Sequence, residues 1–491
     1  MAAGQLGARE LDRAAGVVVG AAAGDALGAA YEFAPPVPAD QVRMRVGRLT
    51  GRPAGSWTDD TDMAVGIVRA AATGSPIDHG DGLDAVAAQF LAWFRSGPPD
   101  IGIQTSRALG SASRAANSGQ GLGAILTASA QSYQESNPDA AGNGSLMRTG
   151  PVALAALGDD DLLLASAAAV SKLTHPHRDA VIACQLWCVA IDRAVRLGHF
   201  EGLREGLDLL EESDRTRWTD IIDQAESRPI AELANNGWVV TALQAAWRAI
   251  IDTASQPGAD HVAAGLRAAV AIGGDTDTVA AIAGALLGAR YGASAVPFAW
   301  RRRLGGWPSD VAHGDLAPLA ILTARHGVPD GLGWPTAPDL MAYYRENWHP
   351  TGVLTTLPGH EGILWGDVAA LDHAPADAFI SLCRIGRAQR RGTDHHEVWM
   401  TDGPDNNDLA HVLADTADAV EELRLDCGSV FVHCVQAQSR TPSVAAAWLV
   451  RHRGRTPAAA FAEVEQALPS AAPRSVMRDA VYTLGRSAGG R

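Results

Sequence analysis

Hydrophobic and polar positions divide the 491-residue chain into two regions with different periodicity. From Leu11 to about Gly327, long stretches rich in Ala, Leu and Val alternate with short breaks of Gly, Pro, Asp and Ser. Almost no segment there alternates with period two, so the pattern predicts an all-α domain over residues 11–327. Long helices are expected at Ala14–Glu32 and Thr278–Arg290.

The pattern changes after residue 327. Residues 328–351 are rich in Pro, Gly, Trp and Asp, which is typical of a linker. Beyond them, short apolar segments alternate with longer helical ones, so residues 352–491 are expected to form a smaller α/β domain with a partly parallel sheet. The strands are predicted in ILWGD, AFISLCRIG, HEVWMTD and SVFVHCV, and the helices in AHVLADTADAVEELRL and SVAAAWLVRHR.

Charge and composition narrow the possible functions. The chain has 40 Lys and Arg against 55 Asp and Glu, a formal net charge of −15, so neither a nucleic acid nor a membrane surface is an expected partner. The single lysine, Lys172, lies in SKLTH, which matches neither a Gly-Lys-Ser/Thr phosphate loop nor a pyridoxal site. The abundance of Ala, Gly, Pro and Arg indicates a GC-rich bacterial genome.

Cysteine usage and the apolar segments indicate a cytoplasmic protein. The five cysteines are scattered and include no Cys-x-x-Cys pair, which argues against a disulfide framework and a zinc site. Charged residues precede the first apolar stretch and Asp25 interrupts it, unlike a secretory signal. The longest apolar run, Thr278–Ala289, is shorter than the roughly 18 residues that a membrane span requires.

Two acidic turns, WTDDTDM and GGDTDT, each lie directly before an apolar stretch. Helix capping explains each turn separately, because Thr and acidic side chains satisfy the free N–H groups of a first helical turn. Together, however, the turns supply the hard oxygen ligands that a pair of Mg²⁺ or Mn²⁺ ions needs. The absence of Cys and His from both turns disfavours zinc. Oxygen-bearing side chains include Thr58, Asp59, Asp60 and Asp62 in the first turn and Asp275, Asp277 and Thr278 in the second.

Six ordered motifs between about Ala15 and Gly292 resemble those of the ADP-ribosylglycohydrolase family. In chain order they read GAAAGDALGAAYE, SWTDDTDM, PDIGIQT, GNGSLMR, THP and GGDTDTVAAIAGALLGARYG. The resemblance implies an all-α hydrolase that releases ADP-ribose from a modified protein or small molecule. It also implies two Mg²⁺ or Mn²⁺ ions as cofactors. Their implied ligands are Thr58, Asp59, Asp60, Asp275, Asp277 and Thr278.

The same resemblance implies further site residues. Glu32, expected at the end of the first helix, matches the acidic residue beside the metals, and Asp100 matches the general base. A carboxylate-activated water suits a reaction that passes through an oxocarbenium-like state. The loop that approaches ADP-ribose and a neighbouring segment would supply Asn143, Gly144, Ser145, Met147 and His175.

Several residues of this region also have simpler explanations. Asp100 follows two prolines and could be a helix N-cap, and His175 and His177 flank a proline and could close a turn. Trp238 could stack on adenine, but a large aromatic residue on a helix is more often part of the core. Arg148 is expected to pair with a structural carboxylate.

A cysteine loop carries the second candidate chemistry. In VFVHCVQAQSRTPSV, Cys434 lies six residues before Arg440, between a predicted strand and a predicted helix. Such a turn points N–H groups at a phosphate, the helix N-terminus favours the thiolate, and the Arg binds two phosphoryl oxygens. The segment resembles the dual-specificity branch of the cysteine-dependent phosphatases. That resemblance implies Cys434 as nucleophile, Arg440 as phosphate clamp, Thr441 as the hydroxyl assisting the leaving thiolate, and Asp402, rather than Asp405, as general acid.

The loop departs from the phosphatase pattern at its middle. Ala437 stands where the family has Gly, between the bulky Gln436 and Gln438. If the position needs a positive φ, Ala costs roughly 1 kcal/mol or more and distorts the phosphate site. Binding of phosphate without hydrolysis is therefore an alternative for this domain. Cys383 and Cys427 are expected to be buried at strand ends.

The sequence thus predicts a two-domain enzyme, a metal-dependent ADP-ribosylglycohydrolase followed by a phosphatase-like domain. The expected partners are an ADP-ribosylated protein or small molecule and a phosphoprotein or other phosphomonoester. One alternative is a non-catalytic protein that binds ADP-ribose and phosphate. The other is an enzyme in which only the phosphatase domain is active.

Overall fold

A computed structural model describes residues 6–115, 120–311, 313–392 and 394–488. The chain divides into two compact units, the first of residues up to 296 together with 303–328, and the second of residues 297–302 together with those from 329 onward. The predicted end of the second domain, Arg491, lies outside the described residues. Among the described helices, none is long and apolar enough to cross a membrane.

Twenty α-helices, six short 3₁₀-helices and five strands make up the regular structure of the described residues. The helices are α1 (Ala8–Gly28), α2 (Asp59–Ala71), α3 (Gly80–Arg95), α4 (Ile103–Ala115), α5 (Leu122–Ser136), α6 (Gly150–Ala155), α7 (Asp160–Lys172), α8 (Arg178–Leu197), α9 (Gly202–Glu205), α10 (Glu212–Ser227), α11 (Val239–Asp252), α12 (Asp260–Ala271), α13 (Thr276–Tyr291), α14 (Phe298–Arg301), α15 (His313–Ala324), α16 (Met341–Asn347), α17 (Leu409–Cys427), α18 (Arg440–Arg453), α19 (Pro457–Ala467) and α20 (Ser475–Ala488). The strands are β1 (Leu354–Thr355), β2 (Ile363–Asp367), β3 (Ala378–Ser381), β4 (His395–Glu397) and β5 (Val430–Cys434).

The regular structure of the first unit is helical, as the hydrophobic pattern predicts, and α1 and α13 lie at its centre. Residues 14–28 of α1 and 276–289 of α13 are buried on all sides. A helix that is apolar all round is expected to be enclosed by other helices. The predicted end of the first helix at Glu32 is wrong, because α1 ends at Gly28 and the chain then turns, with the Tyr31 amide donating to the Gly28 carbonyl.

Glycines line the crossing of α1 and α13. A Cβ atom placed on Gly20 would lie 2.3 Å from the Gly284 carbonyl oxygen, and one on Gly24 would lie 2.0 Å from the Ala280 oxygen. The two backbones therefore touch without side chains between them. The same contact continues to the end of α1, where a Cβ on Gly28 would lie 2.4 Å from the Asp277 Cα. The crossing thus fixes the end of α1 against the beginning of α13.

The second unit contains one sheet with the strand order β1-β2-β5-β3-β4. Strands β2, β5, β3 and β4 are parallel, and β1 is antiparallel to β2. The central strands β3 and β5 are buried at every residue, as expected of parallel strands covered on both faces. Their carboxyl ends lie at the same edge of the sheet, so Ser381 and Cys434 are brought to one side of it.

The sheet differs from the sequence prediction in its outer strands. Segment HEVWMTD was predicted as a strand, whereas β4 covers only residues 395–397, and β1 was not predicted. Residues 329–351, which the sequence indicates as a linker, are counted with the second unit. They contain α16, and the Arg384 guanidinium forms an ion pair with Asp330.

The close contact between α1 and α13 predicts that Gly20→Ala destabilises the first unit. The added methyl group meets the Gly284 carbonyl, and forced overpacking of this kind costs about 1–3 kcal/mol. Thermal unfolding should show a midpoint lowered by several degrees. The control is Gly110→Ala in α4, where a new Cβ would lie an ordinary 3.5 Å from the Phe94 ring and helix propensity improves by up to about 1 kcal/mol. Equal unfolding midpoints for Gly20→Ala and Gly110→Ala would contradict the close backbone contact between α1 and α13.

Candidate active sites

The two acidic turns, 219 positions apart in the chain, meet at the N-termini of α2 and α13. The Thr58 hydroxyl lies 3.0 Å from an Asp60 carboxylate oxygen and 3.5 Å from an Asp277 oxygen. Neither N-cap residue, Thr58 or Asp275, makes a side-chain capping bond to its helix. Capping therefore does not account for these side chains.

Carboxylates gather in two groups of three that share Asp277. One oxygen from each of Asp25, Asp60 and Asp277 lies within 4.8 Å of the others, and the same holds for Glu32, Asp100 and Asp277. Asp100 lies three residues before α4 begins, so it is not at that helix's N-cap position. The first group is fully buried, whereas Asp100 in the second is partly exposed. The second group therefore gives the cluster its access to solvent.

Asp25 belongs to this cluster and was not predicted as a site residue. Its carboxylate accepts hydrogen bonds from the backbone N–H and the hydroxyl of Thr58, at 2.9 and 2.8 Å, and of Thr61, at 3.0 and 2.6 Å. It thereby holds the first acidic turn against α1. The signal in the sequence was a single acid within the apolar stretch of residues 14–28, because a fully buried carboxylate needs hydrogen-bond partners.

Burial and mutual repulsion raise the pKa values of the clustered carboxyls. Desolvation is the largest cause throughout, followed in most cases by neighbouring carboxylates. The pKa of Glu32 is raised to about 8, with Asp100 and Asp275 contributing, and that of Asp25 to about 6. The pKa values of Asp59, Asp60 and Asp277 lie well above their usual range.

This donor set fits a divalent cation. Asp60 Oδ1 is buried and has no hydrogen-bond partner among the described residues. Such an oxygen is costly unless a proton or a cation satisfies it. The two carboxylate groups contain no Cys or His, which matches the oxygen ligands that Mg²⁺ and Mn²⁺ prefer.

The predicted ADP-ribose loop is tied to the second acidic turn. The Asn143 side-chain amide donates to an Asp275 carboxylate oxygen at 2.7 Å and to the Asn236 carbonyl at 3.0 Å. Asn236 in turn accepts from the Asp275 backbone N–H at 2.8 Å. Of the other predicted residues, Gly144 is partly exposed, whereas Ser145 and Met147 are buried behind the loop.

His175 is buried against this loop. A Cβ on Gly144 would lie 2.9 Å from its ring, and its Nδ1 lies 2.7 Å from the Thr174 hydroxyl. Burial lowers the pKa of His175 well below its usual range, so the ring is neutral. His177 closes a turn instead, because its Nδ1 accepts from the Asp179 N–H at the start of α8.

Trp238 borders a cavity of about 570 Å³ beside the loop, together with Gly142, His177 and Asp139. The backbones of Gly142 and residue 238 form an antiparallel bridge, so the cavity adjoins the predicted ADP-ribose loop. The prediction that Trp238 is part of the core is wrong, because 44% of the residue is exposed. It precedes α11 as its N-cap and does not lie within the helix.

Among the residues that the structure describes, no carboxylate pairs with Arg148, so the prediction is wrong. Its guanidinium is fully buried, donates to the Thr174 hydroxyl at 2.5 Å and lies 3.2 Å from the Met63 sulfur. It also lies over the Phe90 ring, 4.5 Å from the centroid. Desolvation lowers its pKa to about 10, with Asp59 acting against the shift. Arg148 therefore packs against Met63 of α2 and Phe90 of α3, next to the helix that the first acidic turn begins.

In the second unit, Cys434 ends β5 and Arg440 begins α18. The guanidinium of Arg440 lies 3.2 Å from Asp402 and donates to the Leu382 carbonyl at 2.5 Å. The Thr441 hydroxyl is buried and donates to the Gly366 carbonyl at 3.3 Å. The predicted nucleophile, phosphate clamp and general acid therefore lie around one loop at the carboxyl edge of the sheet.

Ala437 has a φ of +53°, the left-handed conformation that the glycine of the phosphatase pattern would adopt. The neighbouring glutamines anchor the loop: the Gln436 side-chain amide donates to the Trp348 carbonyl, and the Gln438 carbonyl accepts from Ala472 N–H. The bulky Gln436 side chain thus binds backbone outside the loop. A positive φ costs an alanine roughly 1 kcal/mol, and these contacts stabilise the loop against that cost.

The other two cysteines of this unit differ from each other. Cys383 is buried two residues beyond the end of β3, which agrees with its predicted position, and burial raises the pKa of its thiol. Cys427 is the last residue of α17 and only partly buried, so the prediction of a buried strand end is wrong for it. The helix-forming pattern before it continues to the turn at Gly428.

The carboxylate cluster predicts that cations stabilise the protein in a pH-dependent way. The raised pKa values of Asp25 and Glu32, about 6 and 8, mean that the folded state retains protons that unfolded carboxyls release near pH 4. Without cations, stability should therefore fall as the pH rises from about 4 to 8. Thermal scans in EDTA and in saturating Mg²⁺ or Mn²⁺ should show a cation-induced rise in midpoint that is larger at pH 8 than at pH 5. Asp60→Asn should remove most of this rise, and an equal rise at both pH values would contradict the cluster's role.

Comparison with known proteins identifies the first unit. A family model described as ADP-ribosylglycohydrolase matches residues 6–331. ADP-ribosylarginine hydrolase Tri1 of Pseudomonas putida is 31% identical over 301 residues, 59% of this chain and 73% of that protein. ADP-ribosyl-[dinitrogen reductase] glycohydrolase of Rhodospirillum rubrum is 29% identical over 306 residues, 60% of this chain and 90% of that protein.

The chain is also similar to a solved structure and, in its C-terminal portion, to a phosphatase. A solved structure titled ADP-ribosylglycohydrolase-related protein complex aligns with a TM-score of 0.50 and 28% identity, covering 65% of this chain and 99% of that one. A C-terminal portion is similar to dual specificity phosphatase 28 of Mus musculus, at 37% identity over 101 residues, 20% of this chain and 61% of that protein. With the matched model covering more than half of its residues, the chain belongs to the ADP-ribosylglycohydrolase family.

Proposed function

We propose that the first unit hydrolyses an ADP-ribosyl glycosidic bond with the help of two divalent cations. The observation that supports this most directly is the meeting of the two acidic turns with Glu32 and Asp100 around Asp277. In this proposal the cations are Mg²⁺ or Mn²⁺, and their ligands come from both turns: Thr58, Asp59, Asp60, Asp275, Asp277 and Thr278. Bound cations of this kind polarise sugar hydroxyls and water.

Asp25 acts as a positioning residue in this proposal. Four donor groups, the N–H and the hydroxyl of Thr58 and of Thr61, bind its carboxylate, which therefore orients the first turn. Glu32 and Asp100 lie on the accessible side of the cluster, where a carboxylate can take a proton from the attacking water. We assign Asp100 as general base and Glu32 as the acidic residue beside the cations.

The ADP-ribose moiety would lie along the loop of residues 142–145 and reach the cavity at Trp238. Asn143 is oriented by the second acidic turn, and Gly144 leaves its backbone accessible to the ligand. The half-exposed indole of Trp238 offers a flat surface for adenine, and stacking of a base on an aromatic ring contributes about 1–3 kcal/mol. The buried side chains of Ser145, Met147 and His175 support the loop from behind.

The substrate we propose is an ADP-ribosylated protein, with arginine as the first linkage to test. The named activities of the relatives, ADP-ribosylarginine hydrolase and a glycohydrolase of ADP-ribosylated dinitrogen reductase, favour this choice. The five cysteines are free, in keeping with a cytoplasmic location. Serine-linked and small-molecule ADP-ribose are the other linkages to compare.

Release of ADP-ribose from arginine-, serine- and small-molecule-linked substrates in the presence of Mg²⁺ or Mn²⁺ tests the proposal. Asp60→Asn should lower kcat at least about 100-fold by removing a ligand charge, whereas Asp81→Asn, at an exposed acid in the first turn of α3, should not. Trp238→Ala should raise KM about tenfold with kcat nearly unchanged. Tight ADP-ribose binding without release from any substrate would favour the non-catalytic alternative.

A second activity, hydrolysis of phosphomonoesters, is favoured by one observation in the second unit. Cys434, Arg440 and Asp402 surround a strand-loop-helix turn whose middle residue has a positive φ. We propose that Cys434 attacks the phosphorus, Arg440 binds the phosphoryl oxygens, and Asp402 protonates the leaving group. Thr441, bonded to the Gly366 carbonyl, would need to reorient before assisting the thiolate.

Turnover of p-nitrophenyl phosphate and of a phosphotyrosine peptide tests this activity. Cys434→Ser should abolish phosphate release, whereas Cys427→Ser, at the end of α17, should leave it unchanged. Ala437→Gly should retain at least wild-type turnover, because Gly adopts the observed φ without strain. Tungstate binding by wild-type protein without turnover would favour a phosphate-binding role. Abolition of every measurable turnover by Cys434→Ser would support an enzyme in which only the phosphatase domain is active.

A further inference from the structure

A segment rich in arginine borders the carboxylate cluster of the first unit. Residues 41–57, which we call the arginine segment, read QVRMRVGRLTGRPAGSW. They contain no Asp or Glu and four arginines, Arg43, Arg45, Arg48 and Arg52. The whole chain, by contrast, has a formal net charge of −15. The segment is therefore a local concentration of positive charge on an acidic protein.

The four arginines are accessible and have no acidic partner. Arg43, Arg45 and Arg48 are exposed, and Arg52 is partly exposed. None of the four forms an ion pair with a residue that the structure describes. Their positive charge is therefore available to a group from outside the chain.

A second run of four arginines, in CRIGRAQRRG of the second unit, differs in this respect. Three of its arginines form ion pairs within the chain, namely Arg384 with Asp330, Arg390 with Glu397 and Arg391 with Asp372. A high density of arginine alone therefore does not explain the unpaired charge of the arginine segment.

Hydrogen bonds place the arginine segment at the accessible side of the cluster. The Arg48 N–H donates to the Ala29 carbonyl, and the Arg48 guanidinium donates to the Glu32 carbonyl, both at 2.9 Å. The Arg52 guanidinium donates to the Trp57 carbonyl, at the start of the first acidic turn, at 2.9 Å. The segment is thus bound both to the loop that carries Glu32 and to the turn that carries the proposed cation ligands.

Two of the arginines are close enough to act on the accessible carboxyls. Desolvation and then Asp100 raise the pKa of Glu32, and Arg48 acts against that rise. Desolvation and then Asp275 raise the pKa of Asp100, and Arg52 acts against it. A guanidinium group therefore lies near each carboxyl at the opening through which a substrate would enter.

Apolar side chains are exposed between these arginines. Val46 is 59% exposed and Leu49 is 54% exposed. The turn that carries them is ordered by two backbone bonds of 3.0 Å, from the Gly47 N–H to the Arg52 carbonyl and from the Gly51 N–H to the Gly47 carbonyl. Arginine is enriched in protein interfaces, and apolar residues form their centres. The segment therefore has the composition of a surface that another polypeptide covers.

We propose that the arginine segment is a docking surface for the protein that carries the ADP-ribosyl group, and that it selects modified residues flanked by acidic side chains. Carboxylates of that protein complement the unpaired guanidinium groups, and its apolar side chains cover Val46 and Leu49. A nucleic acid fits less well, because it has a phosphate at every nucleotide, which the acidic remainder of the chain would repel. The inference rests on the glycohydrolase function proposed above, and it adds a substrate class to that function.

The neighbouring carboxylate cluster opposes this attraction only weakly. Its first group of three is fully buried, and the cations of the proposed function would offset its charge. The arginines are at the surface, where carboxylates of a partner can approach them directly. The nearest charges that an acidic flank meets are therefore positive.

Two peptides with the same ADP-ribosylarginine and different flanking residues test the docking surface on the full-length protein in saturating Mg²⁺ or Mn²⁺. One peptide has Glu on both sides of the modified residue, and the other has Lys. At about 50 mM salt, kcat/KM should be about tenfold higher for the Glu peptide, mainly through KM, because several weak exposed ion pairs act together. At about 500 mM salt the preference should fall below about threefold, because salt screens exposed charges. The net charge of −15 alone predicts the opposite preference, so equal values or a preference for Lys at low salt would overturn the proposal.

Charge reversal at one arginine, with a matched control, locates the effect. Arg45→Glu should reduce the preference for the Glu peptide at least about threefold, because the Arg45 side chain is exposed and has no carboxylate partner among the described residues. Arg114→Glu makes the same change of charge at an exposed residue in the last turn of α4, about 16 Å along that helix from its first residue, and should leave the preference unchanged. Equal effects of the two variants would overturn the proposal.

Binding of the same peptides, measured by fluorescence anisotropy, separates docking from hydrolysis. Tighter binding of the Glu peptide without release of ADP-ribose would retain the docking surface and reject the hydrolysis. Release of ADP-ribose from both peptides with equal kcat/KM would retain the hydrolysis and reject the docking surface. An ADP-ribosylated oligonucleotide provides the last comparison. If its kcat/KM exceeds that of the Glu peptide and falls in Arg45→Glu, the partner is a nucleic acid and the proposal is overturned.

Discussion

The first unit depends on direct backbone contact between two buried helices. Side chains usually hold packed helices 8–10 Å apart, whereas the glycines of α1 and α13 let carbonyl groups meet glycine Cα atoms. Interior glycines lower helix propensity by up to about 1 kcal/mol each, so their use needs a compensating gain. The compensating gain is the placement of Asp25, which lies near the end of α1. Because the helices are so close, its carboxylate binds Thr58 at the start of α2 and lies beside Asp277 of α13.

The two units handle charge in opposite ways. In the first, several carboxylates are buried close together. Desolvation and, after it, mutual repulsion raise their pKa values, so protons or cations are needed to offset their charge. In the second, Arg440 lies beside Asp402 at the nucleophile loop, and desolvation lowers the pKa of the buried histidine before the nucleophile, His433. The first arrangement suits a site that holds cations, and the second suits one that holds an anion.

The sequence predicted the family, the helical and α/β fold classes, and the acidic turns, because motif order and periodicity are properties of the chain itself. It did not predict Asp25, whose partners Thr58 and Thr61 lie on another helix. It favoured a core position for Trp238 over a stacking role, because an aromatic residue directly before a helix resembles one within it. The exposed fraction of Trp238 depends on which segments of the folded chain pack against it, and the local sequence does not contain that information. The sequence could not predict the positive φ of Ala437. The phosphatase pattern indicates where a glycine belongs, but it does not show which backbone conformation an alanine adopts at that position.

Asn143 joins the loop proposed to bind the nucleotide to the turn proposed to bind metal, through a single bond to Asp275. An amide that donates to a carboxylate oxygen competes for the lone pairs that a cation also uses, and it orders the loop when the carboxylate is fixed. If both sites are used as proposed, occupancy of one would change the free energy of binding at the other. Thermodynamic linkage makes this influence mutual, so whatever factor a metal contributes to nucleotide affinity, the nucleotide returns to the metal.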